Sequence, residues 1–199
     1  EAKNFLNYDN LNIDNLILEL GLFDTDGIEN VFRALCKNIL KREDISLKEL
    51  YDISKVKLNV KVFNSTLSKC EYISYLTDPD LSIITLAKMT TAIPLFFKPV
   101  EYKNNIYVDG GLRGSLAFEI CDSEHYLAIK IHGSTDKKTE YPIINHILSL
   151  MLENDNIYNI KNIIHIRPNI GLNFELDKST MENMIKSGYN ETISYLAEN

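Results

Sequence analysis

The sequence predicts an α/β domain in which a mostly parallel β-sheet lies between helices. Short strand-like segments alternate with amphipathic helical segments along the chain, a pattern typical of a parallel sheet covered by helices. The 199 residues are enough for one hydrophobic core. Because no internal repeat, low-complexity tract or long linker divides them, we expect a single domain over residues 1–199.

The first elements are a helix, a second helix and a strand pair. Apolar residues recur at helical spacing from Ile28 to Leu35, and Asp26 is placed to cap this helix. Ser46 and Glu49 form a capping-box pattern at the start of the next helix. The alternating segment 57–65 predicts a strand, and segment 69–76 predicts its partner after a turn at Ser65–Ser68.

A buried helix and a hairpin follow. Asp78 is the expected N-cap, with Pro79 at the first helical position, and Pro94 ends the helix. Segment 96–111 predicts a hairpin whose turn uses Asn104 and Asn105 at positive φ.

Strands and helices continue to alternate to the end of the chain. Segments 125–133 and 160–170 predict strands, segment 142–154 predicts an amphipathic helix, and segment 177–199 predicts a closing helix interrupted or bent near Gly188. The expected core consists of apolar residues from these elements: Val60, Val62, Ile84, Ala92, Val108, Leu127, Ile129, Ile131, Ile147, Leu150, Ile163 and Ile164.

Composition excludes several classes of protein. The net charge of -7 argues against a nucleic-acid partner, because proteins that bind nucleic acid carry a clustered basic face. The longest apolar runs are too short to span a bilayer, so we expect a cytoplasmic protein whose contact with membranes is peripheral. The four histidines show no metal-ligand spacing, and we expect ordinary surface or packing histidines, no metal and no cofactor.

The segment "IYVDGGLRGS" raises two readings of Asp109. An Asp-Gly-Gly sequence after an apolar strand is an ordinary turn signal. It also suits a catalytic carboxylate, because glycine lets another backbone segment approach closely. An aspartate becomes an effective base toward a serine hydroxyl only in a partly dry site that has an oxyanion hole.

Segment 73–120 contains three features in a fixed order: the Ala-x-Pro-x-Phe stretch from Ala92 to Phe96, a hairpin, and the Asp-Gly-Gly motif at Asp109. With these features the chain resembles the patatin-like phospholipase family. Segments 20–35, 46–73 and 179–196 are similar to further parts of the family pattern, in the same order. The resemblance therefore covers about residues 20–196.

This resemblance implies a lipid acyl hydrolase with a Ser-Asp dyad. Asp109 would be the catalytic base, with Gly110, Gly111 and Ser115 supporting its loop, and the substrate would be a lipid ester or phospholipid. The family's serine lies in a G-x-S-x-G elbow, and a glycine-rich loop supplies its oxyanion hole. The chain contains neither motif, and Leu112 stands at the central position between Gly110 and Gly114.

We therefore expect a patatin-like domain portion that lacks the N-terminal strands, with its nucleophile in an N-terminal segment of the same domain. A second departure is that Ser115 and Ala117 stand where the family often has Asn and Pro. Two alternatives remain open: a catalytically degenerate patatin-like domain that binds lipid or protein, and an unrelated α/β binding module.

Other candidate residues have simpler interpretations. Ser65, Ser68 and Ser134 are expected in turns, and Lys98 and Arg113 as surface charges. The aromatic residues beside the motif are expected to pack in the core and the hairpin rather than form a lipid groove: Phe96, Phe97, Tyr102 and Tyr107.

Overall fold

The structure is a computed structural model of the chain and describes residues 16, 18–114, 116–121, 125–132, 146–147, 162–168 and 177–198. The chain divides into two compact units, one from Glu1 to Arg113 and one from Gly114 to Asn199. The expectation of a single domain stays a prediction.

Six strands and three α-helices of the first unit lie wholly within the described residues. The strands are β1 (Gly21–Phe23), β2 (Val60–Asn64), β3 (Lys69–Ile73), β4 (Leu95–Phe97), β5 (Val100–Tyr102) and β6 (Asn105–Asp109). The helices are α1 (Asp26–Leu35), α2 (Leu47–Ser54) and α3 (Ile83–Thr91). A π-helical segment, Cys36–Leu40, extends α1, and a 3₁₀ turn, Gly110–Arg113, follows β6.

The largest sheet of the first unit is antiparallel. It has four strands in the order β3-β2-β6-β5, and all three of its strand pairs are antiparallel. Strands β1 and β4 form a separate parallel pair, with Gly21 opposite Leu95 and Phe23 opposite Phe97. The α/β class is therefore correct.

The prediction of a mostly parallel sheet is wrong. Two tight turns, at residues 65–68 and at residues 103–104, return the chain directly beside the preceding strand. A turn this short can join only antiparallel neighbours, whereas parallel neighbours need a crossover of a dozen residues or more. Alternation of strands and helices along the sequence does not reveal which strands pair.

Helix starts were predicted with mixed success. The capping box at Ser46 and Glu49 is present, with both reciprocal hydrogen bonds formed. Asp26 is instead the first residue of α1, after Thr25. The predicted N-cap Asp78 is also wrong, because α3 begins at Ile83 and its N-cap is Ser82, whose Oγ accepts from two helix N–H groups.

The hairpin between β5 and β6 was predicted one residue too late. Its positive φ values belong to Lys103 (47°) and Asn104 (61°), and Asn105 already lies in β6. Asp78 binds this hairpin, since its carboxylate accepts from the Tyr102 hydroxyl at 3.1 Å and from Lys103 Nζ at 2.8 Å.

The hydrophobic core of the first unit includes side chains from the antiparallel sheet and from α2 and α3. Val62 and Met89 are 0% exposed, and Leu47 is 1% exposed. The buried members of this cluster are Leu47, Val62, Ile73, Leu81, Leu86, Met89 and Tyr107. Of the predicted core residues in this unit, Val62, Ile84, Ala92 and Val108 are buried, and Val60 is half-buried.

The second unit contains two described strands and one long helix. Strands β7 (Ala128–Ile131) and β8 (Ile163–Ile166) pair in parallel, and α4 spans Lys178–Glu198. The helix continues through Gly188, so the predicted interruption there is wrong. The helix predicted at 142–154 lies outside the described residues, apart from positions 146 and 147.

The core prediction is mostly wrong in the second unit. Ile164 is buried and Ile163 is half-buried. Leu127, Ile129, Ile131 and Ile147 are exposed, Ile131 by 66%. Leu150 lies outside the described residues. A strand with a continuous apolar centre can be buried on both faces, but the sequence pattern does not show whether both faces are covered.

Candidate active site around Asp109

Asp109 is the last residue of β6, and its backbone is held from two sides. It lies opposite Val62 of β2 in the antiparallel ladder. Its N–H donates to the carbonyl oxygen of Ala92, the C-cap residue of α3, at 3.0 Å. Because Val62 and Ala92 are both fully buried, the position of this backbone is determined by the core.

The carboxylate of Asp109 is half-buried and has one described hydrogen-bond donor. Its Oδ1 accepts from the Gly111 N–H at 2.8 Å. Burial raises the pKa of this carboxyl above its usual 3.8, and the Gly111 N–H partly opposes that rise. Among the described residues no cation pairs with this carboxylate. A carboxylate in this environment is a stronger base than an exposed aspartate.

Gly110 allows a very close backbone approach, as the sequence predicts. A Cβ atom at this position would lie 2.5 Å from the carbonyl oxygen of Lys61 and 2.6 Å from its carbonyl carbon. Any larger residue would therefore push the turn away from β2. The approaching backbone belongs to β2, so Gly110 lets β2 pack directly against the residue that follows Asp109.

The 3₁₀ turn after Asp109 is anchored to β2 through its last residue, Arg113. Lys61 Nζ donates to the Arg113 carbonyl oxygen at 2.6 Å, and the Arg113 guanidinium lies 5.3 Å from the centre of the Phe63 ring. Leu112, at the position where an elbow would have serine, is 7% exposed and packs inward. This turn therefore positions Asp109 and does not present a nucleophile.

The remaining candidate residues have structural roles where they are described. Ser65 Oγ donates to the Ile106 carbonyl oxygen at 2.9 Å, and Ser68 has a positive φ of 52°, so both belong to a turn as predicted. Ser115 and Ser134 lie outside the described residues. Lys98 is paired with Glu19 and with Asp24, the latter at 2.9 Å.

The aromatic residues near the motif pack in the core as predicted. Phe96 is 0% exposed, Phe97 2% and Tyr107 6%. Tyr102 is half-buried in the hairpin. In the described part of the chain, these four side chains therefore do not line an exposed aromatic groove near Asp109.

The sequence interpretation missed a pair of histidines in the second unit. His132 Nε2 and His165 Nδ1 are 2.8 Å apart, within hydrogen-bond distance. A signal was present, since His132 directly follows one short isoleucine-rich strand and His165 lies within another. Their proximity requires that β7 and β8 pair in parallel, which the sequence did not reveal.

Within the described ranges, no three side chains of His, Cys, Asp or Glu come together in a way that could hold a metal ion. The same ranges contain no helix with the length and hydropathy needed to cross a bilayer. The candidate site thus consists of Asp109 with Gly110 and Gly111.

Comparisons with known proteins agree on one family. The family model described as patatin-like phospholipase matches residues 2–122. A protein of invertebrate iridescent virus 6, described as probable lipid hydrolase 463L, is 32% identical over 196 residues. That alignment covers 90% of this chain and 64% of the viral protein, so the chain spans less than two thirds of this relative's length.

A solved structure shows the same fold. The crystal structure of VipD from Legionella pneumophila matches with a TM-score of 0.54 at 20% sequence identity, over 87% of this chain and 40% of VipD. At this identity the likeness concerns the fold alone. The family match covers more than half of the chain, from before β1 to beyond the Asp109 turn. The chain therefore belongs to the patatin-like phospholipase family.

Proposed function

We propose that this chain carries the general base of a lipid acyl hydrolase and that this base is the Asp109 carboxylate. Membership of the patatin-like family and the description of the viral relative support a lipid ester as substrate. The observation that carries the proposal is the half-buried carboxylate itself. Its Oδ1 accepts from the Gly111 N–H, while Oδ2 has no donor among the described residues and can accept a proton.

In the proposed reaction, a serine Oγ attacks the carbonyl carbon of the ester as its proton passes to Asp109. The tetrahedral intermediate then collapses, the bond to the alcohol breaks, and the alcohol takes the proton from Asp109. Water attacks the acyl-serine in the same way, and the fatty acid leaves. The backbone contacts of Asp109 and Gly110 hold the base in position during both steps.

The proposal needs a serine that no G-x-S-x-G sequence in these 199 residues supplies. We place this serine, with the oxyanion-hole amides, in an N-terminal segment of the same domain outside these residues. Gly110, Gly111 and Ser115 would support the loop that brings the carboxylate to it. We expect the protein to act in the cytoplasm and to reach its lipid substrate by peripheral membrane contact.

The direct test is Asp109→Asn in a protein that carries both this chain and its nucleophile segment. We expect kcat/KM for a fluorogenic phospholipid to fall by about 10²–10⁴-fold, the usual contribution of a general base. Asp80→Asn is the matched control, because Asp80 is exposed and has no part in the site. Wild-type activity in a folded Asp109→Asn protein would exclude Asp109 as the base.

The pH dependence gives a second test of the same role. A general base must be deprotonated, so activity should rise with pH through the pKa of Asp109. Because burial raises this pKa above 3.8, activity should be lost at a higher pH on acidification than an exposed aspartate would allow. A rate that stays constant down to pH 3.8 in a folded protein would contradict this assignment.

A second function is lipid binding without turnover. The absence of G-x-S-x-G and the inward packing of Leu112 favour it. Under this alternative, vesicle binding is equal for the wild type and Asp109→Asn, and neither protein hydrolyses ester in the presence of the nucleophile segment. Hydrolysis that depends on Asp109 would reject it.

A further inference from the structure

The second unit carries a concentrated group of basic side chains on one face of its parallel strand pair. Lys130 of β7 lies directly opposite His165 of β8. Successive side chains of a strand point to opposite faces. His132, two residues after Lys130, and Arg167, two residues after His165, therefore share this face, which we call the basic face. The opposite face carries Ile129, Ile131, Ile164 and Ile166.

The register extends far enough to include the last two members of the basic face. The His132 N–H donates to the Ile166 carbonyl oxygen at 2.8 Å, so the ladder continues past β7. Lys130, His132 and His165 are half-buried, and Arg167 is exposed. The basic face is thus partly dry at one end and open to solvent at the other.

The two histidines limit how much charge the basic face can hold alone. At 2.8 Å between His132 Nε2 and His165 Nδ1, one ring donates an N–H and the other accepts it. A proton on both of the facing nitrogens would remove this hydrogen bond, because neither nitrogen could then accept. Burial, Arg167, His165 and Lys130 all lower the pKa of His132, and Glu191 of α4 acts in the opposite direction. Burial also lowers the pKa of Lys130.

Glu191 is already engaged on the neighbouring backbone. Its carboxylate oxygens accept from the Arg167 N–H at 3.2 and 3.1 Å, and one accepts from Ser187 Oγ at 3.3 Å. These donors are neutral, so Glu191 keeps its negative charge, but it is one carboxylate beside the two cations Lys130 and Arg167. These four side chains offer a guanidinium fork, an ammonium and the one ring N–H that the inter-ring hydrogen bond leaves, a set of donors that suits a tetrahedral oxyanion.

We propose that the basic face, made of Lys130, His132, His165 and Arg167, is a binding site for a phosphate group. The ligand is a phosphate monoester or diester, either free in solution or in the headgroup of a lipid. When phosphate binds, its negative charge offsets the positive charges of Lys130 and Arg167, and His132 takes up a proton. The site lies in the second unit and is independent of the proposed role of Asp109.

The test is an NMR titration of the 199-residue chain with inorganic phosphate, followed through the imidazole resonances. Sodium chloride at matched ionic strength controls for screening. We expect the resonances of two of the four histidines, His132 and His165, to shift in a saturable manner, and binding to be tighter at pH 6 than at pH 8. Imidazole resonances that stay unchanged up to tens of millimolar phosphate, relative to chloride, would overturn the proposal.

A variant and its matched control locate the effect. Lys130→Gln removes the charge, keeps the first two methylene groups of the side chain, and should weaken phosphate binding by about tenfold, the effect of one charge-assisted hydrogen bond. Lys178→Gln removes a lysine that is 87% exposed at the start of α4 and should change nothing. Equal weakening by both variants would mean nonspecific charge and would overturn the site. If Lys130→Gln unfolds, the wild-type titration still decides.

Vesicles separate the two sources of phosphate. Phosphatidylcholine vesicles with and without phosphatidic acid are tested by sedimentation. Binding that requires phosphatidic acid and weakens in Lys130→Gln assigns the site to a lipid headgroup. Saturable phosphate binding without vesicle binding assigns it to a soluble phosphate compound. Vesicle binding that Lys130→Gln leaves unchanged, together with no response to phosphate, would refute the proposal.

Discussion

The two units of this chain use similar apolar strands with different results. In the first unit, β2 buries Val62 completely between sheet and helices. In the second unit, β7 has the same kind of apolar pattern, yet Ile129 and Ile131 are 54% and 66% exposed. An apolar strand pattern therefore shows which residues can be buried, whereas the elements that cover the strand decide which of them are buried.

The largest expected difference between the units is in side-chain truncation. Phe96→Ala removes a fully buried ring from the first unit and should lower the free energy of unfolding by about 3–5 kcal/mol. Ile131→Ala should change it by less than about 0.5 kcal/mol, because that side chain is mostly exposed. Urea unfolding measures both. Equal losses would show that Ile131 is covered in solution and would remove the contrast.

Glycine substitutions should have opposite signs in the two units. Gly110→Ala places a methyl group against the Lys61 backbone and should cost about 1–3 kcal/mol of unfolding free energy. At Gly188, in the interior of α4, the nearest atom to a new Cβ is Ile166 Cδ1 at 3.8 Å, an ordinary contact. Gly188→Ala should therefore stabilise by about 0.5–1 kcal/mol, from helix propensity. A stable Gly110→Ala protein would contradict the close approach of β2.

The smallest expected effects are two pH dependences of opposite sign. The folded-state pKa of Asp109 is raised by burial, so its charge costs stability as pH rises above 3.8. Asp109→Asn should therefore raise Tm at pH 7 by a few degrees at most, and the gain should vanish below pH 3.8. Asp109→Asn keeps an acceptor for the Gly111 N–H, so the charge is the main change.

Asp177 in the second unit should behave in the opposite way. Hydrogen bonds from the Thr180 N–H, and from the side chains of Thr180 and Ser179, lower its pKa below 3.8. Its stabilising effect is full above pH 3.8 and is lost as pH falls through the lowered pKa. Asp177→Ala should thus lower Tm at pH 7 and have less effect in acid. Thermal unfolding from pH 3 to 8 compares both variants, and parallel curves would contradict the assignment.

The local elements were predictable where the signal lies within a few residues. The capping box at Ser46 and Glu49 formed as predicted, because both of its hydrogen bonds join residues three positions apart. The N-cap at Asp78 failed, because its carboxylate binds Tyr102 and Lys103, more than twenty residues away. Local capping rules do not include such a competing distant partner.

The candidate site was predictable in part. The Asp-Gly-Gly motif pointed to Asp109 and to a close backbone approach at Gly110. The sequence did not show that the approaching backbone is β2, or that Ala92 accepts from the Asp109 N–H. It also separated His132 from His165 by 33 residues, and only the parallel register of β7 and β8 brings their rings together.

The sequence by itself determined the α/β class, the family and most element positions, and it pointed to Asp109 as the candidate base. These depend on apolar period, turn residues and short motifs, all of which act over a few positions. Only the tertiary structure decided that the main sheet is antiparallel, that Ile129 and Ile131 of β7 stay exposed, and that four basic residues share one face. Such features depend on pairing between distant segments, and the free energy of that pairing depends on both segments together, so the sequence of one segment alone does not reveal it.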